Sequence, residues 1–204
     1  MTSEPAAGIL WRTNETGIMN LILHARNPLG RPMEYTAHYE SPLGGITLSS
    51  DGEVLLGLWF DGQKFFAATL APDYEERALP VFDLAKRWLE VYFSGRDPGF
   101  TPPLRMNGTA FRRAVWEILL AIPFGRTMTY GEIAAELARR EGVARMSAQA
   151  VGGAVGHNPI SLIVPCHRVI GADGSLTGYG GGLERKRRLL ALEGADAELH
   201  FPEQ

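Results

Sequence analysis

A cysteine followed directly by a histidine and an arginine can be a nucleophile that carries its own activating groups. Cys166 is the only cysteine in 204 residues, and it stands in Val164-Pro165-Cys166-His167-Arg168-Val169. A thiol attacks as its thiolate, and only a few per cent of a free cysteine is ionised at neutral pH. Nearby cationic groups and helix N-termini lower its pKa, so His167 and Arg168 are candidates for that task. A proline fixes φ and donates no backbone hydrogen bond, so Val164-Pro165 is expected to end a strand and hold Cys166 at its exit. The competing reading of a lone cysteine is a small buried hydrophobe with incidental polar neighbours. One cysteine also excludes an internal disulfide and any cysteine-rich zinc site, and neither metal nor cofactor is expected.

The elements that must position this stretch can be read along the chain. Residues 1–33 show scattered Gly, Pro and Asn without sustained periodicity, and are expected to form a disordered leader. Residues 34–96 read as a small α/β domain, with strands over 35–40, 45–50 and 54–60. Asp51-Gly52 is the hairpin turn between the last two. A helix is expected from Asp83 to Phe93, with Leu84, Trp88, Leu89 and Tyr92 on its buried stripe and Gly95 as its stop. No residue of this domain suggests chemistry, and His38 reads as a strand-face residue. Residues 97–107, rich in proline and glycine, read as a linker to a second domain over 108–194, which an acidic tail at 195–204 follows.

In that second domain Phe111, Ala114, Val115, Ile118, Leu119 and Ile122 recur at helical spacing until Pro123. Thr129 and Glu132 form a capping-box pair that opens a helix through about Ala138, and Gly142 breaks the run. Ser147 caps the next, Ala148 to Gly156, so the two helices make a helix-turn-helix candidate. This second helix holds three glycines, each costing about 1 kcal/mol against alanine. Either it packs tightly on another helix, or something from outside approaches its backbone closely. A last helix runs from Leu183 to Glu193, and its Arg185-Lys186-Arg187-Arg188 run is either a solvated face or a phosphate contact.

Hydrophobic content of 45% and charged content of 21% are ordinary globular values. The net charge of −3 divides unevenly, −5 over residues 1–100 and +5 over 101–194, which permits a nucleic-acid partner for the second half. The apolar run from Met19 to Ala25 is too short to span a membrane and lacks the basic start of a secretory signal, so a cytoplasmic protein is expected.

Pro165-Cys166-His167-Arg168-Val169, with Asn158-Pro159 upstream and Gly178-Tyr179-Gly180-Gly181-Gly182-Leu183 downstream, resembles the active-site signature of the methylated-DNA–protein-cysteine methyltransferases. These are the 6-O-alkylguanine-DNA repair proteins. The resemblance spans residues 34 to 194 and is dense from Gly108 onward. It implies an α/β (α+β) protein whose C-terminal helix-turn-helix domain, winged-helix-like, carries the active-site cysteine. It also implies direct, irreversible transfer of an alkyl group from the 6-oxygen of guanine, or the 4-oxygen of thymine, to Cys166. The target nucleotide would be flipped out of double-stranded DNA held through its minor groove, by a monomer that acts once.

The resemblance assigns roles position by position. His167 would be the general base for Cys166 through a water, and Glu193, otherwise a routine helix-end glutamate, would orient that histidine. Asn158, otherwise a simple Asn-Pro turn, would tie the helix-turn-helix to the active-site turn. Tyr130, otherwise a half-buried aromatic, would rotate the target phosphate and give a proton to guanine N3. Tyr179 would stack on the flipped base while backbone groups of Cys166, Val169 and Gly180 hold its edges. Ala148 and Gly152 would face the groove, and Arg168 is either structural or phosphate-facing. Two departures bear on DNA affinity: Gln149 stands where the family commonly has an intercalating arginine, and the inter-helix linker, 139–146, is longer than in many relatives. The rival readings are a lesion-binding alkyltransferase-like protein, which would lack the cysteine, and a cysteine hydrolase built on Cys166, His167 and Glu193.

Overall fold

The computed structural model describes residues 10–13, 19–22 and 33–195 of the chain. Two strands, β1 (Leu10–Thr13) and β2 (Met19–Ile22), pair antiparallel with Leu10 opposite Ile22. They lie in a unit, Met1–Met33, distinct from the unit Glu34–Gln204. Part of the expected leader therefore has paired backbone; strands of four residues are too short to register as a periodicity. The rest of that leader, and residues 196–204 of the expected acidic tail, lie outside the described residues.

In the larger unit, β3 (Glu34–Ser41), β4 (Gly44–Ser50), β5 (Leu55–Phe60) and β6 (Tyr74–Glu76) form a sheet of order β5-β4-β3-β6. The β3-β4 and β4-β5 pairs are antiparallel, and β6 runs parallel to β3. The turn at Asp51-Gly52 forms because the Asp51 carboxylate accepts from the Glu53 and Val54 N–H groups, both at 3.0 Å. Helix α1 (Pro80–Phe93) starts three residues before the expected Asp83, with proline in its first turn. Its buried stripe is Val81, Ala85, Trp88, Leu89 and Tyr92, with Phe82 beside it. Leu84, expected on that stripe, is 42% exposed, because at about 100° per residue it falls at the outer edge of the stripe.

Every residue of β5 is buried, although the strand lies at the edge of its sheet. Other segments occupy its free edge. Leu55 N donates to Pro103 O at 2.9 Å and Arg105 N to Leu55 O at 2.8 Å, so the proline-rich linker runs beside β5 as a bridge. Further along, Leu58 N donates to Pro159 O at 2.9 Å and Ser161 N to Leu58 O at 2.8 Å. The Asn158-Pro159-Ile160 turn is thus fastened to the N-terminal sheet, and the otherwise orphaned edge groups are satisfied.

The second half begins with α2 (Ala110–Leu120), capped by Thr109. Then come β7 (Met128–Thr129), α3 (Tyr130–Glu141), α4 (Ala148–Gly156), β8 (Val169–Ile170) and α5 (Leu183–Leu192). The capping box between Thr129 and Glu132 forms at the start of α3, and Gly142 closes that helix in the left-handed region at φ 66°. Ser147 caps α4 by accepting from Ala150 N. Trp116 donates its indole N–H to Ala154 O at 2.9 Å, which pins α4 to α2. Strand β7 pairs parallel with β8, so the start of α3 and the segment after Cys166 are joined.

The expected strand before Cys166 does not form. Residues 161–164 make a turn, with Val164 N donating to Ile160 O at 3.0 Å and Leu162 at φ 68°. The Asn158 side chain takes the place of a ladder: its Nδ2 donates to Val164 O at 2.7 Å, and its Oδ1 accepts from Ile160 N at 3.1 Å. A buried apolar run can satisfy its backbone this way without pairing, which periodicity alone does not reveal. Pro165 then leads into a single 3-10 turn, Cys166–Arg168.

Candidate active site

Cys166 opens that turn and is only 7% exposed. Burial pushes its thiol pKa up, opposed by a hydrogen bond from the Asn158 side chain, the charge of Lys186, and the N–H groups of Cys166 and His167. The resting residue is therefore a thiol that must be helped to ionise.

His167 is fully buried, and its Nε2 lies 2.6 Å from Glu193 Oε1. A histidine that donates through Nε2 to a carboxylate keeps a lone pair on Nδ1, and His167 Nδ1 is buried with no hydrogen-bond partner. Burial lowers the pKa of His167 and outweighs the pull of Glu193. A neutral imidazole with one free lone pair is a proton acceptor in waiting, one residue from the thiol.

Glu193 follows the last turn of α5 and binds five donors. Its Oε1 accepts from His167 at 2.6 Å, the Tyr92 hydroxyl at 2.7 Å and Arg168 Nη2 at 3.2 Å. Its Oε2 accepts from Arg168 Nε at 2.8 Å and Gly125 N at 3.0 Å. Burial would raise its pKa, but His167 and Arg168 prevail and hold the carboxyl at about 2. Arg168 also donates to Ile122 O at 2.6 Å and lies over the Phe124 ring. Its guanidinium is spent inside the protein, so the phosphate-facing alternative for Arg168 fails and the structural one holds. The 3-10 turn, rather than a strand, aims it inward.

Tyr130 opens α3 and donates its hydroxyl to Thr177 O at 2.9 Å. Tyr179 has its hydroxyl buried without a partner and its ring edge-on to His167, centroids 6.4 Å apart. Of the backbone groups expected to hold a base, Val169 O already accepts from Lys186 Nζ at 2.5 Å, and Gly180 O from Lys64 N at 2.9 Å. Gln63, Gly156, Asn158, Ser161 and Tyr179 close around Cys166 and leave about 10 Å³ for the centre of a water-sized sphere, room for about one water molecule and far too little for a base. A cleft of about 330 Å³ adjoins this space, walled by Lys64 and Phe65 on one side and by Gly153, Gly156 and His157 on the other. Phe65 stacks on His157 at 4.1 Å.

Ala148 and Gln149 lie exposed on the first turn of α4. Gly152 faces the Tyr130 ring, which a Cβ would meet at 3.7 Å, whereas a Cβ on Gly153 or Gly156 would meet nothing within 4 Å. At 3.7 Å a Cβ makes ordinary contact, so packing within the protein requires glycine at none of the three positions.

Two residues of the site escape a reading of the sequence. Lys186, inside the basic run, is fully buried and donates to Val169 O and, at 3.0 Å, to Thr177 O. Burial lowers its pKa to about 8. Arg185 also turns inward, to Leu43 O and Gly181 O, while Arg187 and Arg188 pair with Glu184 on the surface. The run is thus half interior. Its signal was the spacing of Lys186 from Leu189 and Leu190, which puts all three on one buried face. Tyr92 is the other, a tyrosine whose buried stripe was visible but whose hydroxyl was not placed. Among the described residues no group of three or more His, Cys, Asp or Glu could hold a metal ion, and no helix is long and apolar enough to cross a membrane.

A buried thiol, a histidine with a free lone pair and a carboxylate behind it, set beneath a helix-turn-helix, define a protein with a cysteine nucleophile. Residues 35–106 match the model of the ribonuclease-like domain of 6-O-methylguanine DNA methyltransferase, and residues 110–195 match its DNA-binding domain. The methylated-DNA–protein-cysteine methyltransferase of Haemophilus influenzae is 43% identical over 78% of this chain and 86% of its own. That of Mycobacterium tuberculosis is 46% identical over 76% of this chain and 92% of its own. The crystal structure of Mycobacterium tuberculosis OGT in complex with DNA superposes with a TM-score of 0.68 at 44% identity, covering 81% of this chain and 94% of that one. The chain belongs to the family of the methylated-DNA–protein-cysteine methyltransferases.

Proposed function

We infer that this chain repairs DNA by transferring an alkyl group from the 6-oxygen of guanine to the sulfur of Cys166. The observation that carries this reading is the fixed His167: Glu193 holds Nε2, and the buried Nδ1 lone pair is left one residue from the thiol. As the S–C bond forms, the thiol proton passes to Nδ1 through a water. The C–O bond breaks with its electron pair on the guanine oxygen, and a proton from the Tyr130 hydroxyl neutralises the departing base at N3. Tyr130 would leave Thr177 to do so. The product is a thioether that water does not hydrolyse under mild conditions, and no second thiol exists to release it. Each molecule then acts once.

The target oxygen lies inside a base pair, so the nucleotide must be flipped out at a cost of a few kcal/mol. The collapsed space beside Cys166 must also open, with Tyr179 on one face of the incoming base. Double-stranded DNA would lie along α4 through its minor groove, against the bare backbone at Gly153 and Gly156. A cytoplasmic monomer that repairs alkylated guanine, and thymine alkylated at its 4-oxygen, completes the reading.

Intact mass measurement after incubation with a duplex carrying 6-O-methylguanine tests it. One permanent methyl adduct on Cys166, absent from Cys166→Ser, is expected. Binding without an adduct would favour a lesion-binding protein, and turnover of an ester would favour a hydrolase.

A further inference from the structure

The N-terminal domain sends one polar group into the relay. Tyr92, in the last turns of α1, is fully buried. Its hydroxyl donates to Glu193 Oε1 at 2.7 Å and lies 3.2 Å from His167 Nε2. That carboxylate oxygen therefore takes two short donors side by side, Tyr92 and His167. Packing fixes the ring: Trp88 stacks on it at 5.1 Å and Phe124 meets it edge-on at 6.0 Å. A phenylalanine would fill the same volume. Burying a hydroxyl is costly unless it is bonded, so the oxygen has a role that packing does not supply.

We propose that Tyr92 is a positioning residue for alkyl transfer: by donating to Glu193 Oε1 it orients the carboxylate and limits the basicity of His167. The inference rests on the alkyltransferase reading above. A donor on a carboxylate spreads its negative charge, so an imidazolium facing that oxygen gains less from it. The other groups facing His167 are Arg168 on its own turn, Lys186 and Glu193 at α5, Tyr179 from the glycine-rich loop, and Cys166. Among the described residues, Tyr92 is the polar group that the N-terminal domain hydrogen-bonds into this cluster. Burial holds its own pKa well above the usual value, so it stays a neutral donor through the working range. When His167 Nδ1 takes the thiol proton, the new positive charge sits against Oε1. Tyr92 then keeps His167 from holding that proton so tightly at rest that it can no longer act as a base.

The test follows transfer to Cys166 from free 6-O-alkylguanine base, which needs no flipping, between about pH 5 and 9 around the ordinary histidine value. Tyr92→Phe removes one donor. The acid limb of the profile should move upward by about half to one pH unit, the scale of an ordinary hydrogen bond. Placing 3-fluorotyrosine at position 92, a stronger donor of nearly the same shape, should move the limb downward. This second variant keeps the test open if the first folds poorly. Limbs that coincide with wild type in both would overturn the inference and leave Tyr92 a core residue, whatever its effect on melting temperature. A wild-type protein that takes no alkyl group at any pH would instead overturn the transferase reading itself.

Discussion

Cys166 is held where burial works against its thiolate and Lys186 works for it. Lys186 also bonds Val169 O and Thr177 O, so it joins the segment after the nucleophile to the loop that carries Tyr179. Lys186→Met keeps the length and removes the charge and both bonds. The buried Val169 carbonyl loses this donor, which should cost about 1–3 kcal/mol in stability, while Thr177 O keeps the Tyr130 hydroxyl. The thiol pKa should rise, and alkylation of Cys166 by a small soluble haloamide at neutral pH should slow by about tenfold, one pKa unit. An unchanged pH dependence of that alkylation would show that Lys186 is only a strut. Much of the chemistry was legible at this scale, because Cys166-His167 and Glu193 lie in a recognisable pattern. Arg168 and Lys186 were not, since whether a long cationic side chain points in or out depends on the backbone beneath it. A 3-10 turn stands where a strand was expected, and Lys186 occupies the inner face of a helix whose neighbours are solvated.

The helices were the most legible elements, because their ends are written locally. Thr129 with Glu132, Ser147 and Gly142 each act within a few residues of themselves. The segment before Cys166 reads as a strand in the sequence, but the Asn158 side chain supplies what a neighbouring strand would have supplied. Helix α4 gives the clearest test at this scale. Gly153→Ala should stabilise the free protein by up to about 1 kcal/mol, since its Cβ meets nothing and alanine is the better helix former. The same methyl group should slow transfer from duplex DNA while transfer from free base stays nearly unchanged. Equal rates on duplex in both proteins would remove the reason offered for the bare backbone. Gln149, exposed beside it, is neutral and shorter than arginine. Gln149→Arg should therefore speed duplex repair without affecting the free-base reaction, and the gain should shrink as salt rises. A gain that is independent of salt would count against charge as its cause.

At the scale of the whole unit, Glu34 to Gln204, the two halves share the site. The β5 edge carries both the linker and the Asn158 turn, and Tyr92 reaches a carboxylate 101 positions away in sequence. No spacing rule reaches that far, which is why the N-terminal half looked empty of chemistry. The meeting point of these contacts is Glu193, whose carboxyl is held at about 2 against an ordinary 4.5. A carboxyl depressed on folding contributes stability that is fully present above its unfolded pKa and is lost as pH falls through the folded one. The window here runs from about 4.5 down to about 2, and the amount at stake is on the order of 3 kcal/mol. His167, buried and neutral, opens its own window higher, as pH falls below its ordinary 6.5. Glu193→Gln removes the carboxylate and leaves Arg168 buried without its partner, so it should be less stable than wild type at pH 7 by about 3–5 kcal/mol. That gap should narrow as pH falls from about 4.5 towards 2, because protonation strips the wild type of the same charge. The exposed Glu136 and Glu184 are also held near 2, but they are common to both proteins and cancel in the difference. Urea unfolding at stepped pH measures the gap directly. If it stays constant across that window, Glu193 is not the charged hub of the two halves.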